Sequence, residues 1–326
     1  MKPTTNPALD REALYAKSQV YIRRGLRAQG DGDAEEYQLW ASLALELLGK
    51  AALAKVHPAL VADPMHYQSL FAACGHQLSP DIKTIIAKTL FERLGHIDKA
   101  FDSRNQEFCV QMSLRRNAEL HSGESPFSAM AAEAWERQFW GAIETVLEMQ
   151  GENLESWLGA ENSKAPAKIV AHAAAAREWM VKDRIARSKQ DFEGKYQNPK
   201  VRQEKIEESK KLKRVDLPLN WLFGFDSCER VNCPACGSEG YMAGTLWNEE
   251  ITEDDPGWSG YDDHGEWFGE LPTERVEKTF TVEEFKCVVC SLSLSGTKEI
   301  AAADLPEDFV QIEKREREFE EDYGND

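Results

Sequence analysis

The chain opens with long stretches in which apolar side chains recur at helical spacing. Between Ala8 and Ala28 a charged stretch carries Leu14, Val20, Tyr21 and Leu26 as its apolar points, and Gln29-Gly30-Asp31-Gly32-Asp33 breaks it. From about Ala34 to Val56 the stripe Leu39, Leu43, Leu47, Ala51 runs beside Trp40, Ala44, Leu48 and Ala52, a wide apolar face suited to a bundle core. Asp33 is placed to cap this helix, Glu35 and Glu36 sit in its first turn, and Pro58 ends it. Ser79-Pro80-Asp81 reads as the start of a third helix, with Ile82, Ile85, Ile86, Leu90 and Leu94 inside and Gly95 closing it. A fourth spans Asp98 to Leu120 with Phe101, Phe108 and Met112. A fifth, capped by Ser128, carries Trp135, Phe139, Ala142, Ile143 and Val146 and closes at Gly151. Five helices on short connectors predict a bundle over residues 1–160. An Ala-rich helix from about Ala165 to Phe192 and a charged segment from Lys200 to Arg214 then make 161–215 a helical connector.

At Leu217 the period changes. Leu217 to Phe223 is apolar and irregular, and strand-like runs follow at Tyr241–Trp247, Glu277–Cys287 and Leu292–Ile300. Two Cys-x-x-Cys pairs, Cys233/Cys236 and Cys287/Cys290, flank them. Each pair is a knuckle that bends two thiolates toward one point, and four sulfurs make a closed tetrahedral set for structural zinc. Residues 216–326 therefore read as a small β zinc ribbon on a chain that is otherwise mainly α. Its unusual feature is an acidic insertion, Glu249 to Glu274, bearing Trp258, Tyr261, Trp267, Phe268 and His264; the tail from Ile312 reads as a charged helix. His264 is left out of the metal site, since four cysteines fill it. Cys228 is a spare thiol, Cys74 and Cys109 are expected as small core residues, and His57, His66, His76 and His96 share no ligand spacing.

Charge sharpens the division. The net charge is −18, and residues 231–326, with 25 acidic and 7 basic side chains, carry all of it; residues 177–214 hold 13 basic against 7 acidic. The basic run can be a solvated connector or a surface that tracks RNA phosphates, and solvation is the expectation. For the ribbon, three roles rank in order: a stapled mini-fold, a protein-binding module using the aromatics of the insertion, and a nucleic-acid contact, which its charge opposes. The polar amino terminus lacks a secretory pattern, and the most apolar run, Leu39–Ala54, contains Glu46 and Lys50, so a soluble cytoplasmic protein without membrane contact is expected.

The candidate chemistry lies at the end of the fourth helix, in Arg115-Arg116-Asn117-Ala118-Glu119-Leu120-His121, ahead of the stop sequence Ser122-Gly123-Glu124-Ser125-Pro126. A guanidinium holds two phosphate oxygens in a fixed fork, and an imidazole moves protons near neutral pH. Arg116 and His121 are five residues apart, about 140° on a continuous helix. They converge only if the helix ends between them or if each meets its counterpart from a second chain. Glu46 has two readings: a carboxylate that orients a catalytic group, or a glutamate at the edge of the apolar face; the second is the expectation.

Arg116-Asn117-Ala118-Glu119-Leu120-His121 resembles the R-x4-6-H motif of the HEPN superfamily, including the polar residue after the arginine; the likeness covers roughly the first 150 residues. It implies an all-helical, dimeric domain and a metal-independent endoribonuclease. RNA would be cleaved by attack of its own 2′-hydroxyl, leaving a 2′,3′-cyclic phosphate and a 5′-hydroxyl. In that frame His121 moves protons, Arg116 holds the phosphate, and Asn117 orients one or the other, with Arg115 as the substitute phosphate ligand. The family context also implies a prokaryotic toxin or antiviral role. The alternative is a non-catalytic dimer that serves as scaffold or nucleotide sensor, with the ribbon as its partner-binding module. Paired motifs opening into one cleft favour the enzyme; motifs facing apart or buried in ion pairs favour the scaffold.

Overall fold

The computed structural model describes residues 6–129, 131–211, 224–261, 264, 267–270 and 272–317. The apolar stretch Leu217–Phe223, the Leu212–Arg214 end of the basic run, the side chains of Tyr261, Trp267 and Phe268, and the tail from residue 318 lie outside the described residues. The chain divides into two compact units, Met1–Arg177 and Glu178–Asp326, and the division falls inside one helix, Lys164–Lys195.

The first unit contains α1 (Arg11–Gly30), α2 (Ala34–Val56), α3 (Tyr67–Ala73), α4 (Ala87–Ile97), α5 (Ser103–His121), α6 (Ala132–Glu148) and α7 (Leu154–Leu158), and α8 (Lys164–Lys195) begins in it. Aspartates start the helices that matter most: Asp10, Asp33 and Asp102 each accept an amide three residues on, at the starts of α1, α2 and α5. Trp135, Trp140 and Trp157 fill the core with Tyr37, Leu45, Leu48 and Phe139, and the Trp157 indole N–H donates to Ser18 Oγ at 2.9 Å.

The third helix differs from its sequence expectation. Helix begins only at Ala87 and continues through Gly95, while Ala62 and Thr84 form an antiparallel bridge supported by Asp63 N–H to Lys83 O and Ile85 N–H to Val61 O. The β-branched run Ile82, Thr84, Ile85, Ile86 prefers this extended pairing. Cys74 is exposed, not a core residue, whereas Cys109 is fully buried.

The second unit overturns the expectation of a mainly α chain with a small ribbon. The protein is about 53% helix and 19% strand, a mixed α/β composition. Its sheet is five-stranded and antiparallel. Strand β1 (Ser227–Asn232) pairs with β2 (Glu239–Asp255), β2 with β5 (Thr273–Lys286), and β5 with both β6 (Ser293–Ser295) and β7 (Asp308–Glu316). The ends of the acidic insertion are continuations of β2 and β5, and between them β3 (Trp258–Tyr261) pairs with β4 (Trp267–Glu270). The run Leu292–Ile300 is strand only through Ser295; Gly296, at φ +82°, turns it into helix α10 (Thr297–Ala302). The tail expected as helix is strand β7 as far as it is described. Its Phe309 stacks on Phe280 at 5.1 Å, and Lys278–Glu313 and Arg315–Glu249 close across strands at 2.6 and 2.8 Å. Helix α9 (Pro199–Ser209) reaches the sheet through the Glu239 N–H, which donates to Ser209 Oγ at 2.9 Å.

Gly244 is the tightest backbone approach in the sheet: a Cβ there would fall on the Thr281 carbonyl oxygen. The core joins Met242, Phe280, Val282, Phe285, Leu294 and Ile300 to the cysteines, with Val181 and Ile185 of α8 packed against them.

Candidate functional site

Two constellations carry chemistry. The first is built at the strand ends. Cys233 follows β1, Cys236 precedes β2, Cys287 follows β5 and Cys290 precedes β6, so the β2–β5 pairing brings the two knuckles together. Both knuckles close alike. Gly237 N–H donates to Cys233 O and Ser291 N–H to Cys287 O, each at 2.9 Å, with Gly237 at φ +72° and Ser291 at φ 62°. The sulfurs of Cys233 and Cys290 stand 3.5 Å apart, those of Cys236 and Cys287 3.7 Å, and all four lie within 4.8 Å of one another. A tetrahedron of metal–sulfur bonds near 2.3 Å has edges of about 3.8 Å, so the group can hold a metal ion. Cys233 and Cys287 are buried and Cys236 and Cys290 half-buried. Hydrogen bonding to Cys236, Cys287 and Cys290 pushes the Cys233 thiol up, while bonds from Cys233, Cys236 and Cys290 hold Cys287 down. Four thiolates this close ionise together only around a cation. Cys228 packs elsewhere, with Tyr241 and Ala243, and burial pushes the Cys109 thiol up inside the bundle.

The second constellation joins α2 and α5. Helix α5 continues through His121 and ends at Ser122. It does not break between Arg116 and His121, so within one chain the two stand about 140° apart. Arg116 turns toward the same side as buried Cys109, Met112 and Ser113; His121 is exposed, on the side of exposed Leu114. The Arg116 guanidinium pairs with Glu46, Nη1 to Oε2, and its Nη2 and Nε donate to Asn117 Oδ1 at 2.9 and 3.2 Å. The other Glu46 oxygen accepts from Lys50 Nζ at 2.8 Å, and Lys50 also donates to Thr84 Oγ1 at 3.0 Å. The side chains of Glu46, Lys50 and Arg116 are 17%, 10% and 13% exposed. Burial raises the Glu46 carboxyl, but Lys50 and Arg116 more than offset it and hold it below the ordinary value of 4.5.

Of the candidates Arg116, Asn117 and His121, the structure brings Arg116 to Asn117 and to Glu46 but not to His121. Glu46 is a paired carboxylate rather than an edge residue. The Glu46–Lys50 pair is not among the sequence expectations, although its spacing of one helical turn signals it. Thr84 is missing from them too, because its segment reads as helix. In the connector, Lys182–Glu178, Arg187–Asp183, Lys205–Glu208 and Lys210–Glu207 are ion pairs three or four residues apart, as a solvated helix makes them.

No family model matches the chain, and no curated protein or solved structure matches it. Among the described residues, no helix is long and apolar enough to cross a membrane.

Proposed function

We propose that the helical unit is a HEPN-type endoribonuclease acting on RNA as a homodimer, and that the Cys233–Cys236–Cys287–Cys290 group binds structural zinc. The observation that supports the enzyme is the set of donors that the Glu46 ion pair leaves on Arg116, although burial in an ion pair is by itself the arrangement that favours the scaffold. Glu46 and Asn117 use three of its five N–H donors, which leaves two for phosphate oxygens. Lys50 keeps the Glu46–Lys50–Arg116 cluster at a net +1, so the ion pair orients the guanidinium without cancelling its attraction for phosphate. Dimerisation follows from the 140° separation: His121 of a second copy supplies what the same chain's His121 does not reach.

In the reaction the 2′-oxygen forms a bond to phosphorus while the bond to the 5′-oxygen breaks. A base takes the 2′-hydroxyl proton, an acid delivers one to the 5′-oxygen, and Arg116 meets the charge on the phosphorane. His121, on an exposed helix end, carries the protons. The chemistry uses no metal.

Pure protein is to be incubated with total RNA in magnesium-free buffer, without a strong chelator that would strip the cysteine group. Cleavage leaving cyclic phosphate ends, abolished by His121→Ala, is expected; wild-type rates in a folded His121→Ala protein would sink the assignment. The competing reading, a dimeric scaffold or nucleotide sensor with the ribbon as its partner-binding module, draws on the Arg116–Glu46 ion pair itself. It predicts saturable RNA or nucleotide binding with no cleavage.

A further inference from the structure

The cysteine group is not symmetric, although its two knuckles share a backbone. Cys233 N–H donates to the carbonyl of Ser238 at 2.8 Å, and Cys287 N–H donates to the carbonyl of Leu292 at 2.9 Å, so Ser238 and Leu292 hold matching positions. Both are buried. The Leu292 side chain contributes only packing. The Ser238 hydroxyl is inaccessible to solvent and lies 3.0 Å from Cys236 Sγ and 3.2 Å from Cys287 Sγ, between one sulfur of each knuckle. A buried hydroxyl must find a partner. Once the sulfurs are thiolates they can only accept, which makes the serine the donor.

We propose that Ser238 is a positioning residue of the metal centre, whose hydroxyl donates to the Cys236 and Cys287 thiolates, one at a time, and holds them on the metal. This rests on the four cysteines binding a metal. The charge on two crowded thiolates is partly neutralised by an O–H dipole in a site closed to water, where such a bond is strong. By alternating between them it supports one sulfur of each knuckle, in addition to the pairing of β2 with β5. Partners that orient ligands from behind typically contribute 10- to 100-fold in metal affinity, and a single neutral hydroxyl belongs at the low end, about tenfold.

The test uses the full chain, with cobalt(II) as a spectroscopic probe in place of the native ion. Wild type is compared with Ser238→Ala and with the near-isosteric pair Ser238→Thr and Ser238→Val, which differ only in the hydroxyl. A donor lowers the energy of a sulfur lone pair, so losing it should move the sulfur-to-cobalt charge-transfer band to the red. Ser238→Ala and Ser238→Val are expected to show that red shift and roughly tenfold weaker cobalt binding in chelator competition, with Ser238→Thr closer to wild type. Identical bands and affinities in Ala and wild type would overturn the proposal. So would Thr and Val that are equally impaired, because the role would then be space-filling alone. If Ser238→Ala fails to fold, the Thr–Val pair decides by the same readouts. If wild type itself takes up no cobalt or zinc, the metal centre fails and Ser238 with it.

Discussion

Arg116 and His121 belong to one motif but live in different surroundings, and their substitutions should separate. The guanidinium lies on the buried side of α5 with Glu46, whereas the imidazole is exposed. Arg116→Ala strands a mostly buried carboxylate that retains only Lys50. A cost on the order of 2 kcal/mol is expected, below the roughly 3–5 kcal/mol of breaking a fully buried pair. His121→Ala should melt with wild type. Its cleavage rate should fall by about 10²–10⁴-fold, as loss of proton transfer does. Arg116→Lys keeps the pair but loses the fork, so it isolates catalysis from folding; melting curves and cleavage assays on the same preparations check all three. The Glu46 carboxyl adds a pH signature. Burial raises its pKa, Lys50 and Arg116 lower it further than that, and the folded value lies below 4.5. Its stabilisation is therefore complete above about pH 4.5 and is lost as the pH falls through the folded value. Denaturant titrations of wild type and Glu46→Gln should converge as pH drops below that point. A difference independent of pH would show that the carboxylate's charge is not what stabilises the site.

At the scale of elements, the periodicity that located α2 and α5 also explains what was misread. Helical spacing was legible where it repeated for several turns, as in Leu39–Ala52 and Trp135–Val146. It misled where β-branched residues happened to fall three and four apart, as at Ile82–Ile86, and where a densely charged run read as helix, as in the tail from Ile312. Thr84 forms a single bridge with Ala62 and Gln311–Glu316 pair with β5, partnerships that one segment read alone does not reveal. The knuckles were legible from cysteine spacing alone, though the length of β2 and β5 was not. They also contain a local test. Gly237 and Ser291 take the same left-handed conformation, which a non-glycine residue adopts at a cost of roughly 1–2 kcal/mol. Ser291→Gly should stabilise the metal-loaded sheet by about 0.5–1 kcal/mol after the added entropy of the unfolded chain, and Gly237→Ala should destabilise it. Opposite shifts in the denaturant midpoint are the expected result. On α5, Leu114 is 53% exposed and lies seven residues before His121, on the same side of the helix. If a second copy docks there, Leu114→Asp should shift light-scattering mass from dimer to monomer and remove cleavage. Unchanged mass and activity would move the interface elsewhere.

For the whole molecule, the two units rest on cores of different kinds, and removing metal should tell them apart. The bundle buries more than thirty hydrophobic residues, three tryptophans among them, and no cysteine of the metal group contributes to it. The sheet unit has a smaller core in which Cys233 and Cys287 are themselves members, beside Phe285, Leu292 and Val181 of α8. Four sulfurs within 4.8 Å can be held together by one ion; without such an ion, protons must be shared among them and the two knuckles lose their common point. Small domains with limited cores commonly depend on such a staple. A strong chelator should therefore unfold the sheet unit and leave the bundle folded. In calorimetry, the metal-loaded chain is expected to lose one transition on chelation while a second stays at its temperature. Circular dichroism should lose the strand signal, α9, α10 and part of α8, yet keep the helical signal of α1 to α7. Zinc added back under reducing conditions should restore both. Cleavage of RNA, if it belongs to the bundle, should survive chelation. A single transition abolished as a whole by the chelator would mean that the bundle draws its stability from the metal-bound sheet, and the assignment of chemistry to one unit and scaffolding to the other would have to be given up.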